Sequence, residues 1–209
     1  MDEPDDPDES KALSELLRIL SAEAGEAIAV DRIIARFGRR AFGAVLFVFS
    51  TPILLPLPPG ASTLFAAPLV LIAPQVAWGA RQPWVPRRVG RRAINGKTLS
   101  RALSRLAPWL ERIEKVSRPR LLMFFGPVGD RVIGAVCTLL ALVLILPIPF
   151  GNMLPAAAVG LLSLALVLRD GLLAIAGYLL AIASVAVLAL AASAIGGAIG
   201  HLLRITGAA

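Results

Sequence analysis

Few residues in this chain could do chemistry, and most lie in or beside two long uncharged stretches, Phe42 to Ala80 and Val132 to Leu168. Arg40 and Arg131 stand just before them, and Arg169 with Asp170 closes the second. A guanidinium is always charged and forks onto phosphate oxygens, so arginines at these places suit a lipid phosphate. Arg169 and Asp170 read equally as an ion pair ending a span. Asn152 follows directly on a proline-glycine break. Its amide can satisfy backbone groups that the break frees, or hydrogen-bond a ligand. With Pro58, Gly60, Pro149 and Gly151 at the breaks, these residues make up the candidate ligand-binding set. No catalytic constellation accompanies them. There is no Ser/His/Asp set, no phosphate loop and no pair of carboxylates on one helix face, so no enzymatic activity is expected. The single histidine, His201, lies beside Arg204 near the C-terminus and reads as interfacial. The single cysteine, Cys137, excludes an internal disulfide and reads as a small buried hydrophobe. No metal-ligand spacing is present, and no cofactor is expected.

The elements that position these groups are set by the breaks. The first stretch contains Pro56-Leu57-Pro58-Pro59-Gly60, and the second contains Pro147-Ile148-Pro149-Phe150-Gly151. Each proline lacks an N–H and clashes with the preceding helical turn, and the residue before it leaves helical geometry. Helix therefore stops at both breaks. The stretches align without a gap at an offset of 91 residues: Gly38, Arg40, Gly43, Ala44 and Val45 match Gly129, Arg131, Gly134, Ala135 and Val136. Leu55, Pro56, Pro58 and Gly60 match Leu146, Pro147, Pro149 and Gly151. Glycine, arginine and proline in common register predict an internal duplication. Weak internal symmetry of this kind is common in transport folds, with sites at broken helices.

Hydrophobic residues make up 57% of the 209, and a spanning helix takes about 20 apolar residues, so each stretch can fill a bilayer roughly twice. The expected fold is all-α: a polytopic helical membrane protein with two internal repeats, each a broken helical hairpin. The hairpins either turn at the far surface or re-enter with their tips buried in the membrane. From Gly43 to Leu55 a helix would rise only about 20 Å, which favours buried tips.

Charge is segregated. Residues 1–41 hold ten acids and six bases, whereas residues 81–120 hold twelve bases and two acids, within a net +7 for the chain. The positive-inside rule places the N-terminus and residues 81–120 in the cytoplasm. Both ends of both stretches then lie inside, which makes the repeats parallel; an odd number of crossings would make them inverted. Residues 1–10 read as a disordered acidic tail and 11–41 as cytoplasmic amphipathic helices. Residues 42–80 form the first repeat, 81–130 a basic interfacial segment and 131–170 the second repeat. Residues 171–204 form one or more Gly/Ala-rich membrane helices. In the basic segment Leu99, Leu103, Leu106, Leu110 and Ile113 recur at helical spacing among arginines, the pattern of a helix lying on anionic lipid headgroups. Nucleic acid is not an expected partner, because the neighbouring apolar spans account for the charge. Gly196 and Gly200 are spaced for close helix contact, as in a homodimer.

Several of these stretches together resemble the bacterial ExoD family of exopolysaccharide-synthesis proteins. They are Gly38-Arg39-Arg40 with Gly43, Leu55 to Ser62, Trp84-Val85-Pro86-Arg87-Arg88, Pro108-Trp109-Leu110, Arg118-Pro119-Arg120-Leu121, Leu146 to Pro155 and Arg169-Asp170-Gly171. The resemblance implies a multi-pass protein of the bacterial inner membrane, linked to exopolysaccharide production and to tolerance of alkaline conditions. It brings no catalytic mechanism with it. Two functions compete. In the first, a transport-type protein moves an ion or a lipid-linked anionic carrier, with its site at the broken hairpins and Arg40, Arg131 and Arg169 as phosphate partners. In the second, a non-transporting scaffold or regulator holds polysaccharide-synthesis proteins through its N-terminal helices and basic segment.

Overall fold

The computed structural model describes residues 27–29, 34, 37–55, 60–85, 93–95, 125–146 and 151–205. The acidic tail, most of the expected amphipathic N-terminal helices, most of the basic segment, and Pro58 and Pro149 lie outside the described residues.

Among the described residues five helices carry the fold. Helix α1 (Arg40–Ser50) tightens into a 3-10 turn (Thr51–Leu54) where Pro52 enters at its first turn. Helix α2 is Ala61–Ala77, α3 is Pro127–Ile145, α4 is Met153–Leu168 and α5 is Gly171–Ile205. Helix ends at Leu54 and at Ile145, just before the two breaks, as the proline sterics require. The restart at Ala61 follows Gly60, whose φ of 90° is readily reached without a Cβ. Pro68 and Pro74 sit inside α2 without ending it. Each removes one ladder bond, and Gln75 ties the end of the helix to the chain that follows: its Nε2 donates to the carbonyls of Leu71 (2.9 Å) and Trp84 (3.3 Å), and its Oε1 accepts from the Trp84 N–H (2.6 Å). Residues 171–205 form a single continuous helix, so the C-terminal run is one element. Gly196 on it is exposed, with nothing within 4 Å of where a Cβ would stand.

One departure from an all-helical chain is a two-stranded antiparallel ribbon, β1 (Ala27–Ala29) with β2 (Ala93–Asn95), in which Ile28 stands opposite Ile94. Residues 27–29 are therefore strand, not part of an amphipathic helix. The ribbon ties the N-terminal segment to the basic one, and strands of three residues carry too little periodicity to be read in advance.

Helices α1 to α4 form a ring in which α1 packs on α2, α2 on α3, α3 on α4, and α4 back on α1. Helix α5 lies outside the ring along α4. Helix α4 is consequently enclosed by three neighbours, and ten of its sixteen residues are buried. Small residues permit this. Gly43 of α1 lies against Val167 and the Ser163 carbonyl of α4; Gly134 of α3 lies against Val76 and Ala77 of α2. Gly177 of α5 receives Leu162. Where apolar burial gives little drive, as in lipid, such close backbone approach is what holds helices together. The interior is a packed apolar core that includes Phe42, Leu46, Leu69, Ile133, Cys137, Leu140, Leu144, Val159 and Leu162. Large apolar side chains also cover the outside, among them Leu64, Leu139, Leu179, Ile182 and Leu190. Among the described residues two segments are long and apolar enough to cross a membrane, Pro127–Ile145 and Gly171–Ala194.

Both hairpins point the same way. Arg39, before α1, meets Asp130 in the first turn of α3, and the start of α1 touches the end of α4. At the opposite end Thr63 of α2 bonds to Ile145 of α3, and Asn152 reaches Ser62. The hairpins are parallel, with their charged ends together and their tips together.

Candidate functional site

The sequence-derived candidates divide between these two ends. Arg40, Arg131, Arg169 and Asp170 lie at the charged end, and Gly60, Gly151 and Asn152 lie at the tips. Helix α1 with its 3-10 turn separates the two by roughly 24 Å of rise. The arginines therefore cannot be phosphate partners of a site at the breaks, and a single combined site is replaced by two separate ones.

At the tips the organising residue is Asn152, the residue before α4, which is 6% exposed. Its Nδ2 donates to the Leu146 carbonyl (3.0 Å), the Leu144 carbonyl (3.4 Å) and Ser62 Oγ (3.2 Å). Two carbonyl partners fix which way the amide faces, because an oxygen there would oppose two other oxygens. Thr63 Oγ1 donates to the next carbonyl, that of Ile145, at 3.0 Å. Asn152 and Thr63 together thus satisfy carbonyls that the end of α3 would otherwise leave open. Among the described residues, Asn152 Oδ1 is buried and accepts no hydrogen bond. A buried amide oxygen left unpaired costs about 1–3 kcal/mol, which a hydrogen-bond donor or a cation would recover. Gly60 is exposed at the same end and Gly151 partly so.

At the charged end the roles are more specific than the sequence showed. Asp170 is 5% exposed, and its Oδ1 accepts the Leu172 N–H at 2.9 Å, capping α5. Arg169 closes α4 in the left-handed region at φ 52° and ψ 41°. A non-glycine residue there is uncommon. Arg169→Gly should therefore relieve about 1–2 kcal/mol of left-handed strain against about 0.4–1 kcal/mol of added unfolded-chain freedom, a net gain of up to about 1.5 kcal/mol if the position is purely a cap. A rise in the thermal midpoint of the detergent-solubilised protein would show it, and a fall would mean that the side chain contributes more than its backbone costs. Arg131 lays its guanidinium on the turn after α2: a Cβ on Gly79 would stand 2.8 Å from its Nε. Gly79 itself has φ 77°. Arg39, absent from the candidate set, pairs with Asp130 at 3.4 Å. Around them lies a half-open cleft of about 30 Å³, lined by Arg39, Phe42, Val76, Gly79, Ala80, Pro127, Asp130, Arg131 and Leu166. Among the described residues no three His, Cys, Asp or Glu side chains come together as metal ligands would.

A family match covers most of this framework. The family described as "Exopolysaccharide synthesis, ExoD" matches residues 13–190, which include both hairpins and the start of α5. The chain belongs to the ExoD family. Over 203 residues it is 31% identical to Protein ExoD of Rhizobium meliloti (strain 1021), spanning 93% of this chain and 84% of that protein. It is also 29% identical over 162 residues to an uncharacterized protein of a Synechocystis strain, covering 77% of this chain and 76% of the relative. No solved structure matches it. Exopolysaccharide synthesis is thus the process to which this ExoD chain is linked, and its tip and charged-end groups are where a molecular role has to be sought.

Proposed function

We propose that this ExoD-family chain is an integral protein of the bacterial inner membrane that supports exopolysaccharide production by transport, with a ligand site at the paired hairpin tips. The observation that carries the reading is Asn152: one buried amide joins the two hairpins and keeps an unused acceptor. Broken helices with freed backbone are tolerated at membrane depth where they line such a site.

Membrane insertion is supported by the apolar outer faces and by the two segments of spanning length. Helices α2 and α4, of 17 and 16 residues, rise only about 24–26 Å. That is less than a hydrocarbon core of about 30 Å, so the hairpins re-enter from the cytoplasmic side and their tips stay within the membrane. Internal duplication is supported by the boundaries: shifted by 91, the ends Leu54 and Ala77 become Ile145 and Leu168, the ends of α3 and α4. The contacts follow the same shift, since Gly43 on Val167 corresponds to Gly134 on Val76. The pseudo-twofold axis then runs along the membrane normal.

Purified protein in liposomes tests transport. Flux of a monovalent ion or of a labelled polyprenyl phosphate, lost in Asn152→Ala, is the expected result; no flux of either refutes it. The second reading, a non-transporting scaffold for a polysaccharide synthase, draws on the tightly packed core between the two ends. It predicts instead no flux and co-purification of a glycosyltransferase that depends on residues 10–37.

A further inference from the structure

The duplication proposed above is imperfect at one place, and the imperfection leaves a charge uncompensated. Under the shift of 91, Arg40 corresponds to Arg131 and Gly79 to Asp170. In the α1–α4 half, the start of α1 lies against the end of α4, and the chain just after α4 there carries a carboxylate, Asp170. In the α2–α3 half, the matching arginine lies directly on Gly79, where there is no side chain. Among the described residues Arg131 makes no hydrogen bond or ion pair. The cleft lies at this position. Its other arginine, Arg39, is engaged by the one acid in its lining, Asp130. One guanidinium therefore faces a small open space in the place that a carboxylate occupies in the companion repeat.

We infer that this cleft is an oxyanion site, in which a phosphate takes the position of the missing carboxylate and is held by Arg131 over the Gly79 turn. Its volume admits the oxygens of a single phosphate and leaves the rest of a ligand to extend outward. Glycine at 79 lets the arginine lie flat on the backbone, and the same lack of a side chain keeps the cleft open. Arg169, engaged as the end of α4 and absent from the cleft lining, is not part of the site. The phosphate can belong to a lipid headgroup or be free in the cytoplasm, since both present the same oxygens.

The test uses the full chain in neutral detergent, titrated calorimetrically with dihexanoyl phosphatidate and, separately, with inorganic phosphate. Arg131→Gln should weaken binding at least tenfold. Gly79→Asp supplies an internal carboxylate and should weaken it as much, whereas Gly79→Asn adds the same bulk without charge and should weaken it less than Gly79→Asp does. Arg169→Gly removes a nearby positive charge outside the cleft and should leave affinity within about twofold. Binding of phosphatidate alone identifies a headgroup site; binding of both probes with similar affinity identifies a phosphate site. The inference is overturned if neither probe binds, if every arginine variant weakens binding equally, or if Gly79→Asp binds as the parent does. Arg131→Gln tests the site without reference to the duplication, Gly79→Asp tests the vacant carboxylate position, and neither touches the tips, so failure here leaves the flux experiment unaffected.

Discussion

Gly134→Ala should destabilise the protein by about 3 kcal/mol or more, toward the upper end of what overpacking costs. A Cβ at this position would overlap the backbone of α2, at Ala77 N and at Val76 C (2.7 Å), and backbone cannot rotate aside as a side chain can. The two helices must part along the most extensive contact in the ring. For a chain of this size such a loss lowers a thermal midpoint by roughly 6–12 °C. Gly43→Ala should behave alike, because its Cβ would meet Val167 Cγ2 at 2.5 Å and the Ser163 carbonyl at 2.6 Å. Gly196→Ala is the contrast: nothing stands within 4 Å, and alanine favours helix, so it should be neutral or stabilising. Thermal unfolding of the three variants in one detergent reads the pattern. A Gly134→Ala protein as stable as its parent would mean that α2 and α3 do not approach this closely.

Asn152→Ala should remove both stability and flux. Three donor bonds vanish and the Leu144 and Leu146 carbonyls lose their side-chain donor. At about 1–3 kcal/mol for each buried group left unsatisfied, a loss of several kcal/mol is expected. Thr63→Ala separates the two roles. It strips the Ile145 carbonyl of its side-chain donor but leaves the Asn152 amide in place. If Asn152 binds a ligand, Thr63→Ala loses stability and keeps flux, while Asn152→Ala loses both. If flux in the two variants falls only in proportion to stability, Asn152 is a cap and the scaffold reading stands.

The main architecture was legible because its causes are local. Pro56, Pro58 and Pro59, like Pro147 and Pro149, fall too close together for a helix to pass, so the ends at Leu54 and Ile145 could be read from the chain. The apolar runs gave the helices, and Asn152 stood out as a polar group beside a break. What could not be read depends on where helices lie relative to one another. Each arginine stands a helix length from its own break, but its distance from the other hairpin's break follows only once the hairpins are known to be parallel. Arg131 on Gly79 is a contact across 52 positions of sequence, with no periodicity to announce it. Asp170 is a different case: an aspartate just before an apolar helical run is an ordinary N-cap signal, and the cap could have been read beside the ion-pair reading. Pro68 and Pro74 read as helix breakers, yet α2 continues through both, held by its contacts with α1 and α3.

Leu55 and Leu146 are exposed counterparts at the two tips, and Trp84 is exposed after the end of α2. Single cysteines at these three positions, in a Cys137→Ala background and in intact cells, probe the arrangement directly. Both tip cysteines should resist a membrane-impermeant maleimide added outside, and both should behave alike, whereas the cysteine at 84 should react only when the reagent reaches the cytoplasm. Ready labelling of Leu55→Cys and Leu146→Cys from outside would place the tips in water and contradict buried hairpins. Labelling of the two tips from opposite sides would contradict the parallel pairing itself.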